Sequence, residues 1–394
     1  MSDDGRATGR TDGARRLAHD DPLLRYRGTI SLERTARWTA PWRLPHERAA
    51  LYLPEGGTGR AAMPSGVRIT LRTDSSWLRC RYQADPAPRL AGPPERAHLD
   101  VLRDGRRVAS VALETHGEDA EFEVSGLADG SAPADDAGPP VVELWLPYYH
   151  RFRLRDLAVA TGAVVAADPP GDRPRWVHYG SSVSQGRGAR SPSRTWPALV
   201  ARRAGWDLTS LALGAGCYLQ PMTARLMRDQ PAELLSVCVG INVHTLGTHS
   251  GDALTAAVIG FVQTVREGHP DTPFAVMSTI LAPDREEMAG PSGLSVRETR
   301  DRVRYAVRLL REHGDRQVRY VHGPEVFGPS CVPLFLEPEG SDRLHPSPAG
   351  HPVFAGRFLT LLRRASCVPT ARARTPSTVP ATRAGGAPRQ EELR

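Results

Sequence analysis

The chain has 394 residues, a formal net charge of +7 and no lysine, since all 51 of its basic residues are arginine. The missing lysine removes a Walker-type phosphate loop ending G-K-[ST], Schiff-base chemistry and a lysine general base, while the length accommodates two domains with a core each. Five cysteines, odd in number and without C-x-x-C spacing, fit neither a zinc site nor a disulfide framework. The charge sits at the ends. Residues 1–19 carry four Arg against three Asp and residues 366–394 carry five Arg against two Glu, so the ends hold +4 of the +7. The body is a mixed, solvated surface without a clustered basic face, and no nucleic-acid partner is expected. The N-terminus lacks an apolar core segment and no run of 18 apolar residues occurs, so the expectation is a cytoplasmic protein with no membrane partner.

In chain order, residues 1–25 are poor in apolar periodicity and read as a disordered tail, as do residues 366–394. Residues 26–165 alternate apolar and polar residues in short runs such as "VRITLR", "WLRCRYQ" and "VVELWLP", and Asp104-Gly105 between two such runs is a strong hairpin signal. This half is predicted to be an all-β sandwich, jelly-roll-like. Residues 166–174, "AADPPGDRP", carry three prolines and read as a linker. From 175 to 365 strands and helices alternate: strands at 175–180, 208–213, 234–241, 274–280 and 318–321, and helices at about 195–204, 221–228, 253–267, 296–313 and 348–364. Asp252 is a candidate cap for the third helix, and Ser295 with Glu298 forms a capping box for the fourth. This order predicts an α/β domain with a parallel sheet covered on both faces.

Ligands of such sheets bind beyond the carboxyl ends of the strands. There the sequence places "YGSSVSQG" with Ser182, "LGAGCYL" with Gly214 and Gly216, "GIN" ending on Asn242, and, before the last helix, "SDRLHPSPAGH" with Asp342 and His345. These are the residue types of acyl transfer. Serine needs a base to take its proton, a neutral imidazole does this near pH 7, and a carboxylate must hold the other ring nitrogen. Ser182, His345 and Asp342 fill those roles, and Asp342 precedes His345 by three residues, whereas His351 has no carboxylate so placed. The backbone N–H groups of Ser182 and Gly216 and the side-chain amide of Asn242 are the candidate oxyanion donors, with Gly214 a rival to Gly216. Asn242 is the only asparagine in the chain, and a turn alone would accept Gly, Asp or Ser.

The four segments together resemble the blocks of the GDSL lipases and acylhydrolases, also called SGNH hydrolases, whose signature Ser, Gly, Asn and His would be Ser182, Gly216, Asn242 and His345. The resemblance covers about residues 175–365. It implies a flavodoxin-like three-layer α/β/α domain and metal-free, cofactor-free serine chemistry through an acyl-Ser182 intermediate. Ser181 stands where the family name has Asp, and Val243 where many members continue G-x-N-D; neither lost acid is the acid or base. A β-sandwich followed by such a domain also resembles actinobacterial proteins that include acyl-decorating enzymes of polyketide biosynthesis. The leading expectation is hydrolysis of small-molecule O-acyl esters. The alternative is an O-acyltransferase moving an acyl group from a thioester such as a CoA ester to a hydroxyl of a sugar, polyketide or other natural product. A third reading is a carbohydrate-binding protein with a non-catalytic second domain, its sandwich aromatics Trp77, Trp145, Tyr148 and Tyr149 stacking on sugar rings. "GAGC" with Leu219 in the last glycine's place fails the dinucleotide fingerprint G-x-G-x-x-G.

Overall fold

A computed structural model of the chain describes residues 13–88, 95–127 and 138–369. The N-terminal half is two antiparallel sheets face to face. One runs Ser31–Arg34, Thr39–Trp42, Phe152–Ala160, Trp77–Ala84, Asp119–Ser125, and the other Val165–Ala166, Arg68–Thr73, Val141–Trp145, His98–Arg103, Arg106–Ala112. Alternation in the sequence becomes alternation in burial: along Trp77–Ala84 every second residue, Leu78, Cys80, Tyr82 and Ala84, is buried between the sheets. There they meet Ile69, Leu71, Leu99, Val101, Leu144 and Phe152. The Asp104-Gly105 turn has φ of 48° and 75°, so both central residues are left-handed, and it joins His98–Arg103 to Arg106–Ala112 as expected.

Two boundaries differ from the sequence reading. Ala14–Ala18, assigned to the N-terminal tail, is a strand paired antiparallel with Phe152–Ala160, and Leu17 is fully buried. Three of its five residues are Ala or Leu around two arginines, too short a run to show a period; tertiary pairing decides it. At the other end Cys367 is buried, so the core reaches past residue 365. The remaining tail assignments, 1–12 and 370–394, lie outside the described residues. The proline-rich segment is tied to the sandwich: Val165–Ala166 pairs with Arg68–Thr73, and the Asp168 carboxylate accepts from Arg27 at 3.1 Å and Thr70 at 3.0 Å.

The second half is a five-stranded parallel sheet in the spatial order Asp207–Ser210, Arg175–Tyr179, Leu234–Val239, Phe274–Ser278, Val318–Val321. Numbered along the chain this is 2-1-3-4-5, the flavodoxin-like order, with its switch point between the first and third strands. Leu234–Val239 and Phe274–Ser278 are buried at every position, the mark of strands covered on both faces. Helices Trp196–Ala204 and Gly350–Arg364 pack on one face, with Trp176, Trp196, Phe354 and Phe358 stacked between them and the sheet. Pro221–Asp229, Gly251–Arg266 and Val296–Glu312 cover the other. The capping box of Val296–Glu312 is formed, with Glu298 N–H donating to Ser295 Oγ (3.2 Å) and Ser295 N–H to Glu298 Oε2 (2.8 Å). Asp252 does not cap. The helix begins one residue earlier, at Gly251 with Ser250 in the cap position, and Asp252 lies in the first turn, where it suits the helix dipole and pairs with Arg302 at 3.1 Å.

The two halves share a core. Trp42, Leu44, Tyr52 and Leu53 of the first pack with Leu211, Leu213, Leu226 and Met227 of the second. Asp100, fully buried on a sandwich strand, accepts from Ser191 Oγ (2.6 Å) and from the N–H (2.9 Å) and Oγ (2.5 Å) of Ser193 across the junction.

Candidate active site

The first strand ends at Tyr179 and the chain turns into a one-turn helix, Ser182–Gln185, whose first residue is Ser182. Glycine is required at 180, since a Cβ there would lie 2.3 Å from Ser184 Oγ. His345 comes from the loop ahead of the last helix. Its backbone is pinned: its carbonyl accepts from Leu336 N–H at 2.7 Å and the next residue bridges to Phe335. Ser182 Oγ lies 2.7 Å from His345 Nε2, and His345 Nδ1 lies 2.7 Å from Asp342 Oδ1, which also accepts the His345 backbone N–H at 3.2 Å. The three residues that the sequence singled out therefore form one continuous hydrogen-bonded chain, oriented as serine, base and carboxylate.

The electrostatics follow from position. Burial alone would raise the Asp342 carboxyl, but the hydrogen bonds and charge of His345 and the nearby Arg187 guanidinium bring it down to about 2. His345 is lowered from its ordinary value because burial disfavours the imidazolium, and the pull of Asp342 in the other direction does not fully offset it. At neutral pH the pair is thus a carboxylate beside a neutral imidazole, the protonation state of a base ready to accept a serine proton.

The third block is built on Gly240, whose φ of 132° suits glycine only and whose added Cβ would meet Thr279 Oγ1 at 2.3 Å. The chain then enters helix Ile241–Leu246 with Asn242 in its first turn. Asn242 is nearly buried, and its Oδ1 accepts from Cys217 N–H at 3.0 Å; no other hydrogen bond is made by this side chain among the described residues. The carbonyl is therefore fixed and the amide N–H₂ remains as donor. Val243 packs into the apolar core beside Leu254 and Val303, so the position of the absent acid is filled by core packing. Ser181, in the other lost acid's place, is buried with its Oγ unbonded among the described residues.

The loop after the second strand bears on the choice between Gly214 and Gly216. Gly216 N–H donates to the Leu213 carbonyl at 2.9 Å, closing a turn, and Gly216 does not line the cavity beside Ser182. Gly214 does line it, but its N–H donates to Gln185 Oε1 at 2.7 Å. Of this loop's amides at 214, 215 and 216, only that of Ala215 is unbonded among the described residues; Ala215 also lines the cavity and holds φ of 51°, a strained value for a residue with a Cβ. A pair of glycines in a short loop carries no sequence signal for which amide is left free.

His351, set aside in the sequence, and three other histidines near this sheet edge have partners outside the Ser182–His345–Asp342 chain. His351 accepts from Trp196 N–H (3.1 Å) and donates to the Arg187 carbonyl (3.1 Å), and burial lowers it to about 4. His178 sits between Ser236 Oγ (2.7 Å) and Ser184 Oγ (2.8 Å), lowered by burial to about 3. His244 Nε2 meets the Met288 carbonyl at 3.0 Å, and His249 contacts Thr248.

The cavity at Ser182 has a volume of about 520 Å³. Ser182, Ala215, Asp342, Leu344 and His345 form one wall; Gly57, Arg60, Met63, Pro88 and Tyr149 of the sandwich half form another. Arg285 lines it as well, and the Arg343–Asp284 pair (2.6 Å) stands at its rim. The sandwich was expected to support the rim of the site or pack against it, and its residues line the cavity; sequence reasoning missed Arg187, which lies 3.2 Å from Asp342 Oδ2. Loop residues with no periodicity carry no sign of which cavity they wall. Of the sandwich aromatics, Trp145, Tyr148 and Tyr149 are buried, Trp145 against Ala198 of the second half, while Trp77 is half-buried with Arg79 over its ring.

Comparison with known proteins agrees with this geometry. Residues 178–353 match the family model described as GDSL-like lipase/acylhydrolase, and residues 24–155 match the model of the SsfX3 N-terminal domain. The salicylyl-acyltransferase SsfX3 from a tetracycline biosynthetic pathway is 42% identical, with a TM-score of 0.84 over 92% of this chain and 100% of that one. The chain belongs to the GDSL-like lipase/acylhydrolase family. It is an enzyme of that family, built on the two-domain plan of SsfX3. Family two carbohydrate esterases share the fold at lower identity: that of Clostridium thermocellum in complex with cellohexaose at 14%, TM-score 0.60, over 86% of this chain and 98% of that one, and that of Cellvibrio japonicus at 13%, TM-score 0.59, over 89% and 98%. No curated protein sequence matches the chain. Among the described residues no helix is long and apolar enough to cross a membrane.

Proposed function

We propose that the protein transfers acyl groups through an acyl-Ser182 intermediate, with hydrolysis of small-molecule O-acyl esters as its reaction. The observation that carries this is the unbroken chain Ser182 Oγ, His345 Nε2, His345 Nδ1, Asp342 Oδ1, with 2.7 Å at each step between residues, opening on a cavity of about 520 Å³. As Ser182 Oγ attacks the acyl carbonyl, its proton passes to His345 Nε2, and Asp342 stabilises the imidazolium. His345 then returns that proton to the leaving alkoxide or thiolate. In the second half His345 takes a proton from the incoming water, the acyl–Oγ bond breaks, and the proton goes back to Ser182. The oxyanion is met by the Ser182 N–H and the Asn242 amide, with the amide of the 214–216 loop as a third donor; Gly216 serves only if its bond to Leu213 opens.

A second reading, in which an alcohol replaces water as acceptor, is favoured by one observation: the 42% identical relative is a salicylyl-acyltransferase. Five cysteines, all buried and unpaired, support a reducing cytoplasm as the location. The test is p-nitrophenyl acetate, then an acyl-thioester with and without candidate alcohols, offered to the wild type and to Ser182→Ala. Loss of acyl release in the variant is expected; a variant that turns over at the wild-type rate removes the serine mechanism. Release that is slow in water and accelerates with alcohol replaces the hydrolytic reading with the transferase one.

A further inference from the structure

The carboxylate of Asp342 has two oxygens, and only Oδ1 serves His345. Oδ2 faces the Nε of Arg187 at 3.2 Å. Arg187 is almost wholly buried and its Nη1 lies 3.6 Å from Oε1 of Glu95, itself buried and carried by the sandwich half. Glu95 Oε1 also accepts the Gly188 N–H at 2.8 Å, and Oε2 lies 2.8 Å from the Tyr148 hydroxyl, which is 2.7 Å from the Ala189 carbonyl as well. The cation is held in place from behind, because its own carbonyl accepts from His351 Nε2.

A buried cation between two buried carboxylates has an electrostatic consequence that follows from order alone. Arg187 stabilises the charged form of Asp342 and, being positive, opposes protonation of His345. Glu95 partly cancels that positive field. An arginine paired with Asp342 alone would overstabilise the carboxylate and weaken its hold on the imidazolium; Asp342 alone would hold the imidazolium too well. We propose that Arg187 and Glu95 are positioning residues of the Ser182–His345–Asp342 chain, with the N-terminal sandwich supplying, through Glu95, the counter-charge that sets the basicity of His345. The charged and titratable groups facing this array are Asp342, His345, His351 and Arg285 on the second half and Glu95, Tyr148 and Tyr149 on the first. Burial raises the Glu95 carboxyl, against the pull of Gly188 N–H, Tyr148 and Arg187, and Glu95 supplies its counter-charge once ionised.

The inference rests on the serine reading above, and its test is separate from it: Ser182→Ala reads whether the chemistry occurs, whereas the test here reads where the acid limb of kcat/KM falls. Glu95→Gln keeps the shape and removes the counter-charge, so His345 becomes less basic and the midpoint moves to lower pH. Arg187→Met removes the cation, so the midpoint moves to higher pH. Each shift is expected to be about half a pH unit or more. The double variant returns toward the wild-type midpoint, and Arg187→Lys retains it while kcat falls. Thermal unfolding checks that each protein is folded, and the isosteric Glu95→Gln keeps the test alive if Arg187→Met does not fold. Loss of packing alone lowers activity without moving the two midpoints in opposite directions. Shifts of the same sign, or a Glu95→Gln profile that overlays the wild type, overturn the proposal, the latter because it shows Glu95 to be a neutral acid.

Discussion

Replacing Asp342 by Asn tests the reasoning where its magnitudes are largest. The side chain keeps its size, and its amide can still meet either the His345 ring or the His345 backbone N–H, now 2.7 and 3.2 Å from Oδ1. What is lost is a negative charge beside the imidazolium that forms as Ser182 gives up its proton. Two unit charges about 3 Å apart at an effective dielectric near 20 attract by roughly 5 kcal/mol, and since each ~1.4 kcal/mol is tenfold in rate, kcat should fall by about 10³- to 10⁴-fold. The same substitution removes a group whose folded pKa of about 2 lies below the ordinary 3.8, a shift that stabilises the wild-type fold by roughly 2 kcal/mol above the ordinary value. That contribution is present above pH 3.8 and fades as pH falls through the folded value, so the wild type should lose stability across that window and the variant should not. The assay is pre-steady-state release of p-nitrophenol, which isolates acylation, with denaturant unfolding at neutral and acid pH. A folded Asp342→Asn protein that acylates within about threefold of the wild type refutes the role given to this carboxylate.

Three further outcomes follow from the same geometry. Asn242→Asp keeps the oxygen that accepts Cys217 N–H, so folding should survive, while the proposed amide donor becomes an acceptor; turnover should fall by about 10²- to 10³-fold, and an unchanged kcat removes Asn242 from the proposed oxyanion site. Because His345 must be neutral to act and its pKa is pushed below 6.5, kcat/KM should rise along an acid limb with a midpoint below that value and then level; a midpoint above it contradicts the effect of burial. Asp100→Ala strands the hydroxyls of Ser191 and Ser193 and the Ser193 N–H at the junction of the halves. It should cost about 2 to 4 kcal/mol in denaturant unfolding, and a midpoint equal to the wild type's removes the stabilising role.

The proposed site was legible because its residues lie at positions that the fold makes predictable. Strand ends follow from periodicity, and the first, third and last segments place Ser182, Asn242 and His345 at one sheet edge, with the Ser295–Glu298 box and the Asp104-Gly105 turn formed as read. What escaped is set by neighbours distant along the chain. The sequence favoured Gly216 over Gly214 as a donor but carried no sign of the turn in which Gly216 N–H bonds the Leu213 carbonyl. Ala14–Ala18 has too few apolar residues to announce a strand and acquires its structure from Phe152–Ala160. Glu95 and Arg187 come from segments with no period at all, more than ninety positions apart, and meet only because the sandwich docks on the sheet's carboxyl edge.

That docking also bears on the fate of the acyl group. On the proposed mechanism the hydrogen-bonded chain from Ser182 to Asp342 activates water and alcohol alike, so the choice of acceptor falls to the cavity wall, and about a third of the residues lining it belong to the sandwich half. It is a stiff wall. Arg43, fully buried and without an acid partner among the described residues, donates to the carbonyls of Met63 (2.5 Å), Arg60 (2.6 Å) and Ala212, tying the sandwich loop to the segment that leads into Gly214 and Ala215. Burial without a counter-ion lowers its pKa to about 9, a cost that only a fixed geometry offsets. Met63, nearly buried on that loop with Sδ 3.6 Å from Gln185 Nε2, lines the same cavity as Ser182. Met63→Ala should leave the acylation burst close to wild type while raising the fraction of acyl groups released to water over alcohol by about threefold or more, because the wall opens without touching the serine, base or carboxylate. Product partitioning between free acid and ester, measured at several alcohol concentrations, reads this directly. A ratio unchanged by Met63→Ala would place acceptor choice outside the sandwich-derived wall.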